Sequence, residues 1–80
     1  MVTPEQIETW IRAGLPCDHL RVAGDGQHFE AVIVSGEFRG KLPVARHQLV
    51  YKALGERMKA DIHALSMQTL TPEEWAQRNG

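Results

Sequence analysis

Residues 34–51 read VSGEFRGKLPVARHQLVY, and this stretch contains the change of pattern that decides the fold. It begins at the end of a β-rich segment, residues 28–35, in which Phe29, Ala31 and Ile33 share one face. Two glycines and a proline predict a loop over residues 36–43. Residues 44–59 then have apolar side chains at helical spacing. The predicted buried stripe consists of Leu49, Val50, Ala53, Leu54 and Met58.

The flanking sequence supplies the other elements. Thr3-Pro4 and Thr71-Pro72 are each followed by Glu and then Gln or Glu, which predicts the starts of a first and a last helix. Residues 20–23 alternate weakly and are joined to residues 28–35 by the turn GDGQ, which predicts a hairpin. Residues 62–70 predict a third strand. The expected order is α-β-β-α-(α)-β-α, with Pro43 able to split the first turn from the middle helix.

This order predicts an α+β protein in which helices pack against a three-stranded sheet. Eighty residues are enough for one domain, residues 1–80, with one small core. There is little room for an enclosed active site, so we expect a protein that is not an enzyme. A single cysteine, Cys17, precludes an internal disulfide and suits a reducing compartment. We expect a cytoplasmic chain without a signal peptide or membrane span, monomeric when alone.

Positive charge is concentrated in one part of a chain whose net charge is −1. The span from Phe38 to Lys59 contains six of the nine Lys and Arg residues and only Glu56 as an acid. The cations can form a solvated helix face or a surface for an acidic partner or nucleic acid. The candidate residues for that surface are Arg39, Lys41, Arg46 and Lys52.

Soft or borderline metal ligands are few and scattered along the chain. The candidates are Cys17, His19, His28, His47 and His63. A structural zinc site needs four closely grouped ligands, so we expect the chain alone to hold no metal tightly. A metal centre shared with a partner protein needs fewer ligands from this chain, so the scattered ligands do not exclude such a centre.

Several motifs together resemble the BolA family. They are V-S, E-x-F, G-K and R-H-x-x-V-Y within residues 34–51, DIHALS at residues 61–66 and TLTPEEW at residues 69–75. The segment GDGQHF at residues 24–29 resembles the short bacterial branch of that family. The resemblance implies a fold like the class II KH domain, which agrees with the order of elements read from the residues.

The resemblance also implies a function. BolA-type proteins pair with monothiol glutaredoxins and share a [2Fe-2S] cluster, for which the glutaredoxin cysteine and a bound glutathione supply two ligands. His63 matches the family's ligand histidine, and the second ligand is usually a His or Cys in or after the first hairpin loop. Asp25 stands near the position where other members carry Cys, and His28 is the soft ligand nearest the turn. Both histidines can also be exposed strand residues without a ligand role.

Two other functions stay open at this stage. The first is a transcriptional regulator that binds nucleic acid, because the implied fold is KH-like and the basic segment is available. Residues 36–40, GEFRG, have one residue too many for the G-x-x-G clamp of KH domains and include an acid. The second is an interaction module that binds a partner protein without any cofactor.

Overall fold

The computed structural model describes residues 1–79 and has the predicted order of elements. Helix α1 (Pro4–Gly14) precedes strands β1 (His19–Gly24) and β2 (His28–Val34). Helices α2 (Pro43–Leu54) and α3 (Arg57–Ala60) then lead to strand β3 (Ala64–Leu70) and helix α4 (Pro72–Asn79). The α+β class is confirmed. The predicted single domain ends at Gly80, which lies outside the described residues.

Two helices begin with the capping chemistry expected from the sequence. At α1, the Thr3 hydroxyl accepts a hydrogen bond from the Gln6 amide at 3.2 Å, and the Gln6 side chain accepts one from the Thr3 amide at 2.9 Å. At α4, Thr71 and Glu74 exchange the equivalent bonds at 3.1 and 2.8 Å. Each of these two capping boxes satisfies two backbone N–H donors that a helix start leaves unpaired. The starts of α1 and α4 are therefore fixed by local sequence.

The three strands form a mixed sheet in the order β1-β2-β3. The hairpin pairs β1 with β2 antiparallel, whereas β3 lies parallel to β2. Parallel neighbours require a long crossover, which α2 and α3 supply. This topology is compatible with the class II KH comparison. The parallel register places Ala64 beside His28 and Leu70 beside Val34, and therefore sets which residues meet at each end of the sheet.

The core lies between α1, α2 and one face of the sheet, and includes a residue from the loop after β2. Phe38, in the 3-10 turn Gly36–Phe38, is fully buried and belongs to this core. The Ser35 hydroxyl donates to the Pro16 carbonyl at 2.6 Å and accepts from the Glu37 amide at 3.1 Å. These bonds fix the loop that carries Phe38 into the core. The buried apolar cluster comprises Ile7, Ile11, Leu15, Leu20, Val22, Phe29, Ala31, Ile33, Phe38, Val50, Leu54 and Ile62.

Two predicted boundaries were wrong. The middle helix is doubled, but the break is at Gly55 and not at its first turn. Gly55 has φ +59°, a conformation that glycine adopts readily and that ends α2. The last strand begins at Ala64 and not at residue 62. The Ile62 amide still donates to the Arg57 carbonyl at 3.0 Å, so Ile62, which is buried, belongs to the turn that ends α3. His63 therefore stands immediately before β3.

Trp10 and Trp75 lie in helical stretches of sequence, which predicts core positions for both, but both are only half-buried. Trp10 lies under the Arg57 guanidinium at 4.3 Å. Trp75 stacks on His19, with ring centroids 4.5 Å apart and planes inclined by 18°. Since His19 alternates with the core residue Leu20, this stack places α4 against the sheet face opposite the core. No helix within residues 1–79 is long and apolar enough to cross a bilayer.

Candidate functional site

The turn between β1 and β2 fixes the start of the strand that carries His28. Oδ1 of Asp25 accepts hydrogen bonds from the backbone amides of Gln27 and His28, each at 2.9 Å. Gly26 has φ +99°, which a residue with a side chain rarely adopts. The His28 amide, followed by the Gln27 amide, lowers the pKa of the Asp25 carboxyl below its usual value. In this structure Asp25 therefore holds the turn that positions His28.

His63 lies at the same end of the sheet as His28, next to the start of the neighbouring strand. It precedes β3, and the parallel register places its neighbour Ala64 beside His28. The two imidazole centroids are 6.2 Å apart and the rings are inclined by 84°. Both side chains are exposed. The structure thus brings together the two residues predicted as ligands, which are 35 positions apart in a chain with no disulfide.

The other candidate ligands lie apart from this pair. The Cys17 thiol donates to the Leu15 carbonyl at 3.3 Å, and burial raises its pKa. His19 is stacked on Trp75. His47 is half-buried in α2, which begins without a side-chain cap. Within residues 1–79 no three His, Cys, Asp or Glu side chains are grouped to hold a metal ion.

The donor set at the His28–His63 pair limits what it can bind. Two exposed imidazoles can supply two nitrogen ligands, which is too few for a closed site of four. They fit one iron of a [2Fe-2S] cluster, in which two histidines can replace two thiolates. The remaining ligands would have to come from another molecule.

Two of the four predicted surface cations are paired with carboxylates on α4. Nε and Nη2 of Arg39 donate to the Glu73 carboxylate at 2.9 and 2.8 Å. The same guanidinium lowers the pKa of Glu73 below its usual value. Both side chains are mostly exposed, so the pair contributes little to stability. It does reduce the positive charge that Arg39 presents to a ligand.

The Arg46 side chain is only 13% exposed, and its guanidinium is bonded to backbone carbonyls and to a carboxylate. Its Nε donates to the Lys41 carbonyl at 2.8 Å, and its Nη1 donates to the Thr69 carbonyl at 3.0 Å. Its Nη1 and Nη2 also donate to the Glu74 carboxylate at 2.7 and 3.3 Å. Arg46 therefore ties the loop before α2 to the end of β3 and the start of α4.

The other two predicted cations are accessible. Lys41 and Lys52 are exposed, and neither forms an ion pair within residues 1–79. The basic surface that remains is thus smaller than the sequence indicated. Sequence reasoning missed Glu73 and Glu74 as partners of the arginines. The capping motif identified Glu74 as part of a helix start, but no local pattern signals its pairing with a residue 28 positions away.

Comparison with known proteins gives a consistent result. A family model described as "BolA-like protein" matches residues 4–74. The chain is 38% identical over 74 residues to BolA-like protein 1 of Mus musculus, covering 92% of this chain and 52% of that protein. It is 45% identical over 56 residues to a Haemophilus influenzae protein named DNA-binding transcriptional regulator BolA, covering 70% of this chain and 54% of that one. The chain spans about half the length of these two relatives.

A solved structure extends the likeness to the whole fold. The structure of a bolA protein homologue from Coxiella burnetii superposes with a TM-score of 0.83 at 49% sequence identity. The match covers 95% of this chain and 99% of that one. The chain therefore belongs to the BolA-like family, as the motifs indicated.

Proposed function

We propose that this chain is an adaptor that binds a monothiol glutaredoxin and shares a [2Fe-2S] cluster with it. In this proposal His63 and His28 ligate one iron, and the glutaredoxin cysteine with a bound glutathione supplies the thiolates of the other. The chain acts in iron–sulfur cluster handling or in iron or stress sensing, in the cytoplasm, and is not itself an enzyme. The observation that carries the proposal is the exposed His28–His63 pair.

The residues of this chain have separate tasks in that role. His28 and His63 are both exposed, so a partner can approach their rings without opening the core. Asp25 fixes the backbone at His28 through two amide bonds and is a positioning residue. The cluster, when bound, would supply electron storage and a bridge between the two proteins. The chain contributes two neutral imidazoles, and therefore lowers the negative charge around the iron that they bind.

The direct test is an anaerobic titration of cluster-loaded glutaredoxin with this chain, followed by visible absorption and circular dichroism. We expect one chain to bind per cluster, with a change of spectrum that reports imidazole ligation. A complex whose spectrum equals that of the loaded glutaredoxin alone would show protein binding without ligation. That outcome would leave an interaction module without a cofactor.

The second candidate is a nucleic-acid-binding transcriptional regulator. The name of the Haemophilus influenzae relative favours it, and Lys41 and Lys52 supply accessible positive charge. Three features weaken it: the net charge of −1, the ion pairs at Arg39 and Arg46, and the absence of a G-x-x-G clamp at residues 36–40. A salt-dependent binding assay with duplex DNA tests this function. A sequence-specific complex tighter than about 10⁻⁸ M at physiological salt would make it the leading candidate.

A further inference from the structure

The two edges of the sheet differ in how their backbone groups are satisfied. At the β1 edge, the outward amide of Val22 donates to the Glu8 carboxylate at 3.0 Å. At the β3 edge, the Thr69 carbonyl accepts from Arg46 at 3.0 Å. Leu70, the next residue, faces inward, since its carbonyl accepts from the Ser35 amide at 3.0 Å. Because successive residues of a strand point their backbone groups to opposite sides, Thr69 belongs to the outward set.

The same alternation assigns Leu65 and Met67 to the outward set. Within residues 1–79, no hydrogen bond occupies the outward amides and carbonyls of these two residues. Strand β3 reads ALSMQTL, with no charged residue and no proline. Edge strands are usually protected by such residues or by a covering element, because an open edge pairs readily with another chain. Here a side chain protects only the Thr69 end, and the half nearer His63 is open.

Two exposed apolar side chains, Val44 and Tyr51, lie on the helix that packs over this edge strand. Val44 and Tyr51 on α2 are 71% and 41% exposed. Ala53 faces α1, since a side-chain carbon added at Gly14 would come within 2.9 Å of it. At about 100° per residue, Val44 and Tyr51 lie on the side of α2 opposite Ala53. Helix α1 contacts β1 and α2, whereas α2 contacts β3, so the side of α2 opposite α1 faces outward past the β3 edge.

We propose that the glutaredoxin partner docks by adding an extended segment of its own chain to the open half of β3. This inference rests on the proposed function, because it takes the partner from there. The open edge begins at Leu65, two residues after His63, which is about 7 Å along a strand. A partner whose thiolates bind the other iron of the shared cluster lies close to the His28–His63 pair, at the end of the sheet where this open edge begins. Main-chain bonds to Leu65 and Met67 would then fix its position, and apolar side chains of the added segment would cover Val44 and Tyr51.

The test compares Met67→Pro with Met67→Ala in binding to cluster-loaded glutaredoxin. Proline removes the outward amide, and at an edge position this costs no bond within the sheet. Alanine removes the same side-chain packing and keeps the amide, so it is the matched control. We expect Met67→Pro to bind at least tenfold more weakly than Met67→Ala. Equal affinities of the two variants would overturn the edge inference.

Hydrogen exchange on the unaltered protein supplies a second measurement that does not depend on the folding of a variant. On complex formation, the amides of Leu65 and Met67 should become protected. The amides of Ser66 and Gln68 face β2 and should be protected already. If Leu65 and Met67 exchange at the same rate in the complex, the inference is wrong even though the cluster is shared. If raising the concentration of this chain alone protects them, the occupant is a second copy, and the inference is likewise overturned.

The two proposals fail in different ways. His63→Ala should lose part of the imidazole contribution to the cluster spectrum yet keep the protection of Leu65 and Met67 when glutaredoxin binds. Absence of any complex with loaded or cluster-free glutaredoxin would refute the proposed function and the docking mode together. A normal cluster complex in which Met67→Pro matches Met67→Ala would refute the docking mode alone.

Discussion

Arg46 and Glu74 are 28 positions apart and form a forked ion pair, with Nη1–Oε1 at 2.7 Å and Nη2–Oε2 at 3.3 Å. The same carboxylate accepts the Thr71 amide at 2.8 Å and so completes the cap of α4. The Glu74 side chain thus caps a helix and neutralises a cation of the basic segment. A planar fork is required for this geometry, which lysine cannot reproduce.

The Glu74 carboxyl should make the stability of the protein depend on acid. Hydrogen bonding from Arg46, then from the Thr71 amide, lowers its pKa from 4.5 to about 2. Since the folded pKa lies below the unfolded value, the stabilisation is complete above pH 4.5 and is lost as the pH falls toward 2. Denaturant unfolding at a series of pH values should show a smaller decline over this window in Glu74→Gln than in the unaltered protein. Equal declines would contradict the assignment.

Truncation of a leucine side chain should destabilise the protein when the residue is buried and have little effect when it is exposed. Leu54 is almost fully buried, so Leu54→Ala should lower the free energy of unfolding by about 2–5 kcal/mol. Leu42 is 79% exposed, and Leu42→Ala should change the free energy of unfolding by less than about 0.5 kcal/mol. Urea unfolding followed by circular dichroism measures both. A domain this small is marginally stable, so Leu54→Ala should be partly unfolded at 37 °C.

Removal of either imidazole should change the shared cluster while leaving the fold intact. His63 and His28 are exposed, so their replacement by alanine leaves no cavity. In the glutaredoxin complex, each variant should lose part of the imidazole signature in pulsed electron paramagnetic resonance of the reduced cluster. His47→Ala is the control histidine and should leave the signature unchanged. An unaltered cluster in His63→Ala would falsify the site assignment.

Protons should compete with the cluster for the same nitrogens. Imidazole must be neutral to bind metal, so acid should release or rearrange the cluster. Visible spectra of the complex between pH 8 and pH 5 measure the transition. Glutaredoxin carrying its cluster without this chain is the control and should not show this step.

The role of Asp25 can be separated from that of a ligand. If Asp25 only positions His28, Asp25→Asn keeps an acceptor for the two amides and should preserve the cluster spectrum. Asp25→Ala removes the acceptor and should weaken complex formation, because the turn before His28 is no longer held. Titration of loaded glutaredoxin with each variant gives the affinities. Loss of the spectrum in Asp25→Asn as well would indicate direct ligation by the carboxylate.

Binding to duplex DNA should be weak at physiological salt and show little sequence preference. If it is detectable, Lys41→Ala or Lys52→Ala should each reduce the slope of log affinity against log salt by about one. Arg46→Ala should instead destabilise the fold, since its guanidinium is mostly buried and holds two carbonyls and a carboxylate. Fluorescence anisotropy across a salt series, with thermal unfolding of each variant in parallel, distinguishes these effects.

The sequence by itself determined the elements of this protein and the identity of its candidate ligands. Capping at Thr3 and Thr71, the turn at Asp25 and the spacing of Val50 and Leu54 act within a few residues, so they can be read from the chain directly. The end of α2 at Leu54 was missed because the apolar helical pattern continues past Gly55 to Met58. The family motifs supplied the expected arrangement of these elements and the expectation that His63 is a cluster ligand.

Only the tertiary structure decided which of these residues meet. The parallel register of β3 on β2 brings His63 to His28, and the crossover geometry that sets this register depends on the whole core. The same geometry pairs Arg39 and Arg46 with carboxylates on α4 and reduces the positive charge available to a polyanion. It also leaves Leu65 and Met67 at an open edge. Such contacts depend on how the elements pack, and packing is set by the complete fold and not by any single segment.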